Sequence, residues 1–93
     1  MPDLETRRYV VSGRVQGVGF RWFVEREAAL AGVTGWVRNC LNGDVEVMAT
    51  GTTEQHSLLR RKLQQGPRAS RVDDVSESRA ALLEADAFRI EGV

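Results

Sequence analysis

The run Gly13-Arg14-Val15-Gln16-Gly17-Val18-Gly19-Phe20-Arg21 combines residue types that suit the capture of a small anion. It lies where an alternating apolar pattern gives way to a helical one. A loop entering a helix directs unpaired backbone N–H groups toward one point, and the helix dipole adds partial positive charge there. Gly17 and Gly19 allow the backbone angles that such a nest needs, although a tight turn would call for the same glycines. Arg21 tips the balance toward the nest. A cation in the first helical turn is disfavoured by about 0.3–1 kcal/mol unless an anion is near, and a guanidinium fork matches two oxygens of a phosphoryl group. From Thr6 to Val24 the chain carries Arg7, Arg8, Arg14 and Arg21 and no acidic residue. Arg7 and Arg8 read as residues that solvate a strand end. No Gly-Lys-Ser/Thr follows the loop and the GxGxxG spacing is missing, so ATP and NAD are poor candidates.

A second segment, Gly35-Trp36-Val37-Arg38-Asn39, is followed by Gly43-x-Val45 and Gly51. Together with Val11-x-Gly13-x-Val15-Gln16-Gly17-Val18-x-Phe20-Arg21, it resembles the paired signatures of the acylphosphatase family, in the same order and spacing. The resemblance extends through Gly66-Pro67 to Phe88-x-Ile90. It implies hydrolysis of the carboxyl-phosphate bond of acyl phosphates to a carboxylate and inorganic phosphate. It assigns phosphoryl binding to Gln16, Gly17, Val18, Gly19 and Phe20 with Arg21, and orientation of the attacking water to Asn39. Gly19 falls at a variable position of the signature, so only its backbone N–H is expected to face the phosphate. Inorganic phosphate or sulfate is the expected competing anion.

The reaction implied explains which residues are missing. A carboxylate is a weak base that leaves without being protonated, so no general acid is required. Phosphoryl transfer depends on positioning and on stabilising charge over the equatorial oxygens. The asparagine amide is not basic, which leaves a phosphoryl oxygen of the substrate as the proton's destination. The acidic residues form no pair inside either motif and read as solvated faces. His56 is read as a surface or core-margin residue without a catalytic role, and Cys40 as a tolerated small side chain. Trp22 and Trp36 are read as packing residues near the site, with contact to an acyl group as the alternative if their rings are exposed.

The elements that must position these residues emerge from periodicity. Arg8 to Val15 alternates as a strand with Tyr9, Val11, Gly13 and Val15 on one side. Phe20, Val24, Ala28 and Ala31 form one stripe of a helix from about Arg21 to Ala31, stopped by Gly32. Gly35–Asn39 and Asp44–Met48 read as strands joined through Asn42-Gly43. Thr52 and Gln55 fit a capping box for a second helix that ends at Gly66-Pro67. Val72 and Val75, then Phe88 and Ile90, mark two further strands; Ala80 to Ala85 reads equally as a helical turn or a loop. The order gives an α+β fold, a two-layer α/β sandwich of ferredoxin-like βαββαβ type with an added short C-terminal strand. A single domain over 1–93 is expected, with an ordered core from about residue 7.

With 93 residues, thirteen basic and thirteen acidic, the chain has no net charge, which argues against general binding of nucleic acid. One cysteine and one histidine cannot make up the ligands of a zinc site, so no metal and no cofactor are expected. No apolar run reaches the roughly 20 residues of a membrane span, and the first residues lack the pattern of a secretory signal. The expectation is a cytoplasmic monomer acting on a small-molecule acyl phosphate. The fold itself also hosts other functions. The rival readings are a carbamoyl-phosphate-handling domain like that of hydrogenase-maturation proteins, an RNA-binding module, and an anion sensor without turnover.

Overall fold

Strand β1 covers Glu5–Arg14 and begins earlier than the alternation predicts, because Glu5 to Arg7 also pair with β3 and Thr6, on the face opposite Tyr9 and Val11, is buried against Thr50. In the computed structural model residues 3–92 are described; Met1, Pro2 and Val93, at the ends of the expected domain, lie outside the described residues. A register shift between Ser12 and Gly13 interrupts the pairing of β1 and removes Gly13 from the fully buried face on which the alternation placed it. Such a bulge bends a strand and turns the chain beyond it in a new direction. Here that chain is the glycine-containing loop.

Helix α1 covers Phe20–Ala31 and ends at Gly32, whose N–H donates to the Ala28 and Ala29 carbonyls. Strands β2, Thr34–Asn39, and β3, Val45–Gly51, form the expected hairpin, but Asp44 stands outside the ladder. Its N–H donates to Asn42 Oδ1 at 3.0 Å and its carbonyl accepts from Cys40 N at 2.8 Å. The connection therefore runs from Cys40 to Asp44 and is longer than a tight Asn-Gly turn. Helix α2, Thr53–Gln65, has the capping box in full: Gln55 N donates to Thr52 Oγ1 and Thr52 N donates to Gln55 Oε1.

Strand β4, Arg71–Ala80, is longer than Val72 and Val75 alone signalled, and the chain after it is a loop, not a helical turn. Strand β5 covers Phe88–Ile90. The sheet order is β4-β1-β3-β2-β5, antiparallel throughout except for the parallel pair β2–β5. Both helices pack on this five-stranded sheet, which is the ferredoxin-like α+β sandwich expected. The exposed β4 edge carries Arg71, Asp73, Asp74 and Arg79, charges that discourage edge-to-edge pairing.

Tyr9, Val11, Val15, Phe20, Val24, Leu59 and Leu63 are buried together between the layers. Each such apolar side chain stabilises the fold by about 1.5–3 kcal/mol. Val15 and Phe20 are the core residues at the two ends of the loop, and Phe20 is the first residue of α1. On the opposite face of the sheet, Glu46 accepts from both Arg8 and Arg38. Burial alone would raise the Glu46 pKa; the two guanidiniums outweigh this and hold it below the ordinary carboxylate value.

Three sequence readings change here. His56 is fully buried, because α2 turns it onto Tyr9, and is no surface residue. Arg7 pairs with Glu5 and Glu77, and Arg8 with Glu46, so neither merely solvates a strand end. Glu27 and Glu46 are buried and ion-paired, unlike the solvated acidic faces expected. No helix among the described residues is long and apolar enough to cross a membrane.

Candidate active site

The bulge at the end of β1 delivers the chain from Val15 to Gly19 across the N-terminus of α1. Gly17 and Gly19 have φ of 72° and 78°, in the left-handed region that glycine occupies without penalty. A Cβ on either would meet no atom within 4 Å, so the requirement is one of backbone angle and not of space. Gly19 is the N-cap of α1, has no side chain with which to cap it, and is followed by no acidic residue in the first turn. Among the described residues, no carbonyl or side chain accepts from the backbone N–H groups of Gly17 through Trp22; the first such bond in α1 is from Phe23 N to the Gly19 carbonyl, at 3.1 Å. An anion at this point would meet a ring of free donors at the positive end of the helix.

These groups border a hollow of about 140 Å³ lined by Val15, Gly17, Gly19, Phe20, Arg21, Trp22 and Asn39. That is on the order of four or five water volumes, at about 30 Å³ each, and fits a phosphoryl group with one attacking water. Arg21 lies in the first turn of α1, half-buried, and has no carboxylate partner among the described residues. No carboxylate lines the hollow. Asn39, the last residue of β2, supplies the facing wall. Its Oδ1 is buried and accepts no hydrogen bond among the described residues. A buried acceptor left without a donor costs roughly 1–3 kcal/mol, a cost that an external O–H or N–H reaching this atom would relieve.

The structure thus brings Gly17, Gly19, Phe20, Arg21 and Asn39 together around one volume. The Phe20 side chain belongs to the core, so only its backbone is available to a ligand. Val18 packs partly against the core and does not line the hollow. Gln16 does not line it either. Its Nε2 donates to the carbonyls of Cys40 and Asp44, both at 2.8 Å. The side chain therefore ties the loop to the hairpin that carries Asn39, a contact that the sequence assignment of Gln16 to phosphoryl binding missed. Only its position within the signature hinted that a specific side chain was needed there. Cys40 likewise matters through its backbone, which accepts from Gln16 and from Gly43.

Comparison with known proteins bears on the same residues. The acylphosphatase family model matches residues 7–90. An acylphosphatase of Koribacter versatilis is 56% identical over 89 residues, covering 95% of this chain and 81% of its own. The structure of an acylphosphatase from Coxiella burnetii superposes with a TM-score of 0.91 at 34% identity, covering 96% of this chain and 94% of that one. Full-length HypF, in a phosphate- and nucleotide-bound form, aligns with a TM-score of 0.89 at 25% identity. There the match covers 99% of this chain but only 12% of the other protein. With the family match spanning almost every described element, and with both signatures converging on one hollow, the chain belongs to the acylphosphatase family.

Proposed function

We propose that this chain hydrolyses acyl phosphates by in-line attack of a water that Asn39 orients on a phosphoryl group held by Arg21 and the 16–20 loop. The carrying observation is that Asn39, whose buried Oδ1 has no partner among the described residues, lines the same hollow as Arg21, whose guanidinium has no carboxylate partner among them. Oδ1 accepts one O–H of the water and aims its lone pair at phosphorus. As the new O–P bond forms, the bond to the acyl oxygen breaks and the carboxylate leaves with the electron pair. The water's proton passes to a phosphoryl oxygen, giving inorganic phosphate. Arg21 and the loop N–H groups stabilise the charge on the equatorial oxygens.

This reading takes the chain as one domain over 1–93, acting as a cytoplasmic monomer without metal, cofactor or nucleic acid. A charge-neutral sequence and a site whose positive charge comes from protein groups support it. The test is to incubate the purified protein with benzoyl phosphate, with and without a chelator. Hydrolysis above background, unchanged by chelator and inhibited competitively by inorganic phosphate, is expected. No hydrolysis would remove the enzyme reading, and loss of activity that a divalent cation restores would remove the metal-free mechanism.

A further inference from the structure

The phosphoryl hollow shares lining residues with a larger depression on each of two flanks, and an in-line reaction cannot use them equally. On one flank lies a depression of about 510 Å³, which shares Asn39 with the hollow and is lined beyond it by Cys40 and Leu41. On the other lies one of about 470 Å³, which shares Gly19 and Trp22 and continues over Phe23, Arg26 and Pro67. The two depressions have no lining residue in common. In-line displacement puts the attacking and leaving oxygens on opposite sides of phosphorus. With the water at Asn39, the acyl group must lie away from Asn39, toward Gly19 and Trp22.

We infer that Trp22, backed by Phe23 and Pro67, is the acyl-group platform, and that it selects acyl phosphates with an aromatic acyl group. The inference rests on the hydrolase reading above and deepens it. Trp22 is 76% exposed although it stands in the first turn of α1, so its ring is not committed to the core. Trp36 is different: it is half-buried and lies under the Arg38 guanidinium, 5.1 Å from its centroid. Phe23 is held from behind by Phe20, with centroids 6.0 Å apart, and Arg26 stands 5.9 Å over its ring. This makes a supported aromatic shelf, to which an indole adds a broad face for stacking. Arg26 is paired with Glu27, while Glu25 beside it has no cationic partner among the described residues. A carboxylate-bearing acyl group would meet that free negative charge, whereas an uncharged ring would not.

The experiment compares kcat/KM for benzoyl phosphate with that for acetyl phosphate, each corrected for spontaneous hydrolysis, in wild type, Trp22→Ala and Trp22→Phe. The wild type is expected to favour benzoyl phosphate. Trp22→Ala should lower the benzoyl-to-acetyl ratio about tenfold, mainly through the KM for benzoyl phosphate, and Trp22→Phe should retain most of the ratio. A ratio unchanged in Trp22→Ala, or one that Trp22→Phe loses as fully as alanine does, overturns the platform while leaving acyl phosphate hydrolysis intact. If the folded wild type hydrolyses neither substrate, the hydrolase reading fails first and the platform falls with it.

Discussion

The two ends of strand β1 treat polar groups in opposite ways. At its start, Glu5 accepts from Arg7 and Arg79, Arg7 also reaches Glu77, and Glu77 takes Arg60 as well. The Arg7 and Arg79 guanidiniums hold Glu5 down to a pKa of about 2. Tyr9 and His56 are hydrogen-bonded between the layers, and on the opposite face of the sheet the buried Thr6 and Thr50 bond each other and the chain at Leu83. At the other end, past the bulge, Arg21 has no carboxylate partner, the loop N–H groups no carbonyl and Asn39 Oδ1 no donor among the described residues. One sheet carries both arrangements. Closed charge networks hold a fold together, whereas groups held in place without partners are reserved for something that arrives from outside.

Breaking the open end should produce the largest effects, and of two kinds. Asn39→Ala removes the acceptor for water and leaves the nest intact. Its kcat should fall roughly 10²–10³-fold while phosphate still inhibits at close to its original concentration. Arg21→Lys keeps the charge and loses the fork, so KM and the phosphate inhibition constant should rise together. Initial-rate kinetics with a phosphate titration separate the two, and thermal melting with and without phosphate shows that each variant is folded. If Asn39→Ala keeps its kcat, or if it loses phosphate binding as Arg21→Lys does, the division of labour is wrong.

A smaller effect is expected where the open end is joined to the rest. Gln16 bonds the carbonyls of Cys40 and Asp44, but these also accept from Gly43 N at 3.2 Å and Cys40 N at 2.8 Å. Gln16→Ala therefore leaves no carbonyl without a donor, and the fold should lose only about 1–2 kcal/mol. What disappears is the tie between the loop that holds phosphate and the strand end that holds Asn39. A fall of about tenfold in kcat, with the phosphate inhibition constant changed far less, is the expected signature of a displaced water. Equal losses in both would make Gln16 a direct ligand of the anion.

Sequence was most informative where side-chain type and local spacing decide the outcome. Of the expected stripe Phe20, Val24 and Ala28 are buried and Ala31, at its end, only partly, and the Thr52–Gln55 cap forms. Arg21 and Asn39 are remote in sequence, yet the two motifs that contain them line one hollow. The misses share a cause, which is contact between residues distant in sequence. Arg7 has one partner two residues away, Glu5, but Glu77 and Glu46 lie on β4 and β3, and nothing near these arginines in the chain announces either. The Gln16 tie crosses to the β2–β3 connection, where it meets backbone carbonyls that have no sequence signature. His56 shows a polar side chain at one buried helical position, and only the tertiary fold reveals the Tyr9 hydroxyl that satisfies it.

That pair gives the smallest expected effect and tests the closed end directly. His56 Nδ1 lies 2.7 Å from the Tyr9 hydroxyl, and Nε2 lies 2.9 Å from the Glu5 carbonyl. A carbonyl can only accept, so Nε2 carries the proton; in the neutral ring Nδ1 then accepts from Tyr9. Protonating Nδ1 would leave two donors facing each other unless the Tyr9 hydroxyl turned away. Burial lowers the His56 pKa, with Arg7 pushing the same way and the Glu5 carbonyl, Glu5 and Glu77 opposing it. Burial also raises the Tyr9 pKa, to about 12, so the hydroxyl stays protonated through the neutral range. The unfolded chain takes up the histidine proton first as pH drops below about 6.5, so the stabilisation is complete above that value and declines below it. The decline cannot exceed about 1.4 kcal/mol per pH unit, the slope for one proton. Urea unfolding at pH 7.5 and 5.5 should show a lower midpoint at the acid value for the wild type. In folded His56→Gln, which keeps a donor and an acceptor but does not titrate, that difference should shrink, with kcat toward benzoyl phosphate retained. Glu5 loses its pairing only as pH falls from the ordinary carboxylate range toward 2, so it contributes little between these two measurements. An equal acid shift in His56→Gln would move the pH sensitivity to another group, and a collapse of its kcat in a folded protein would mean that the two ends of β1 are coupled.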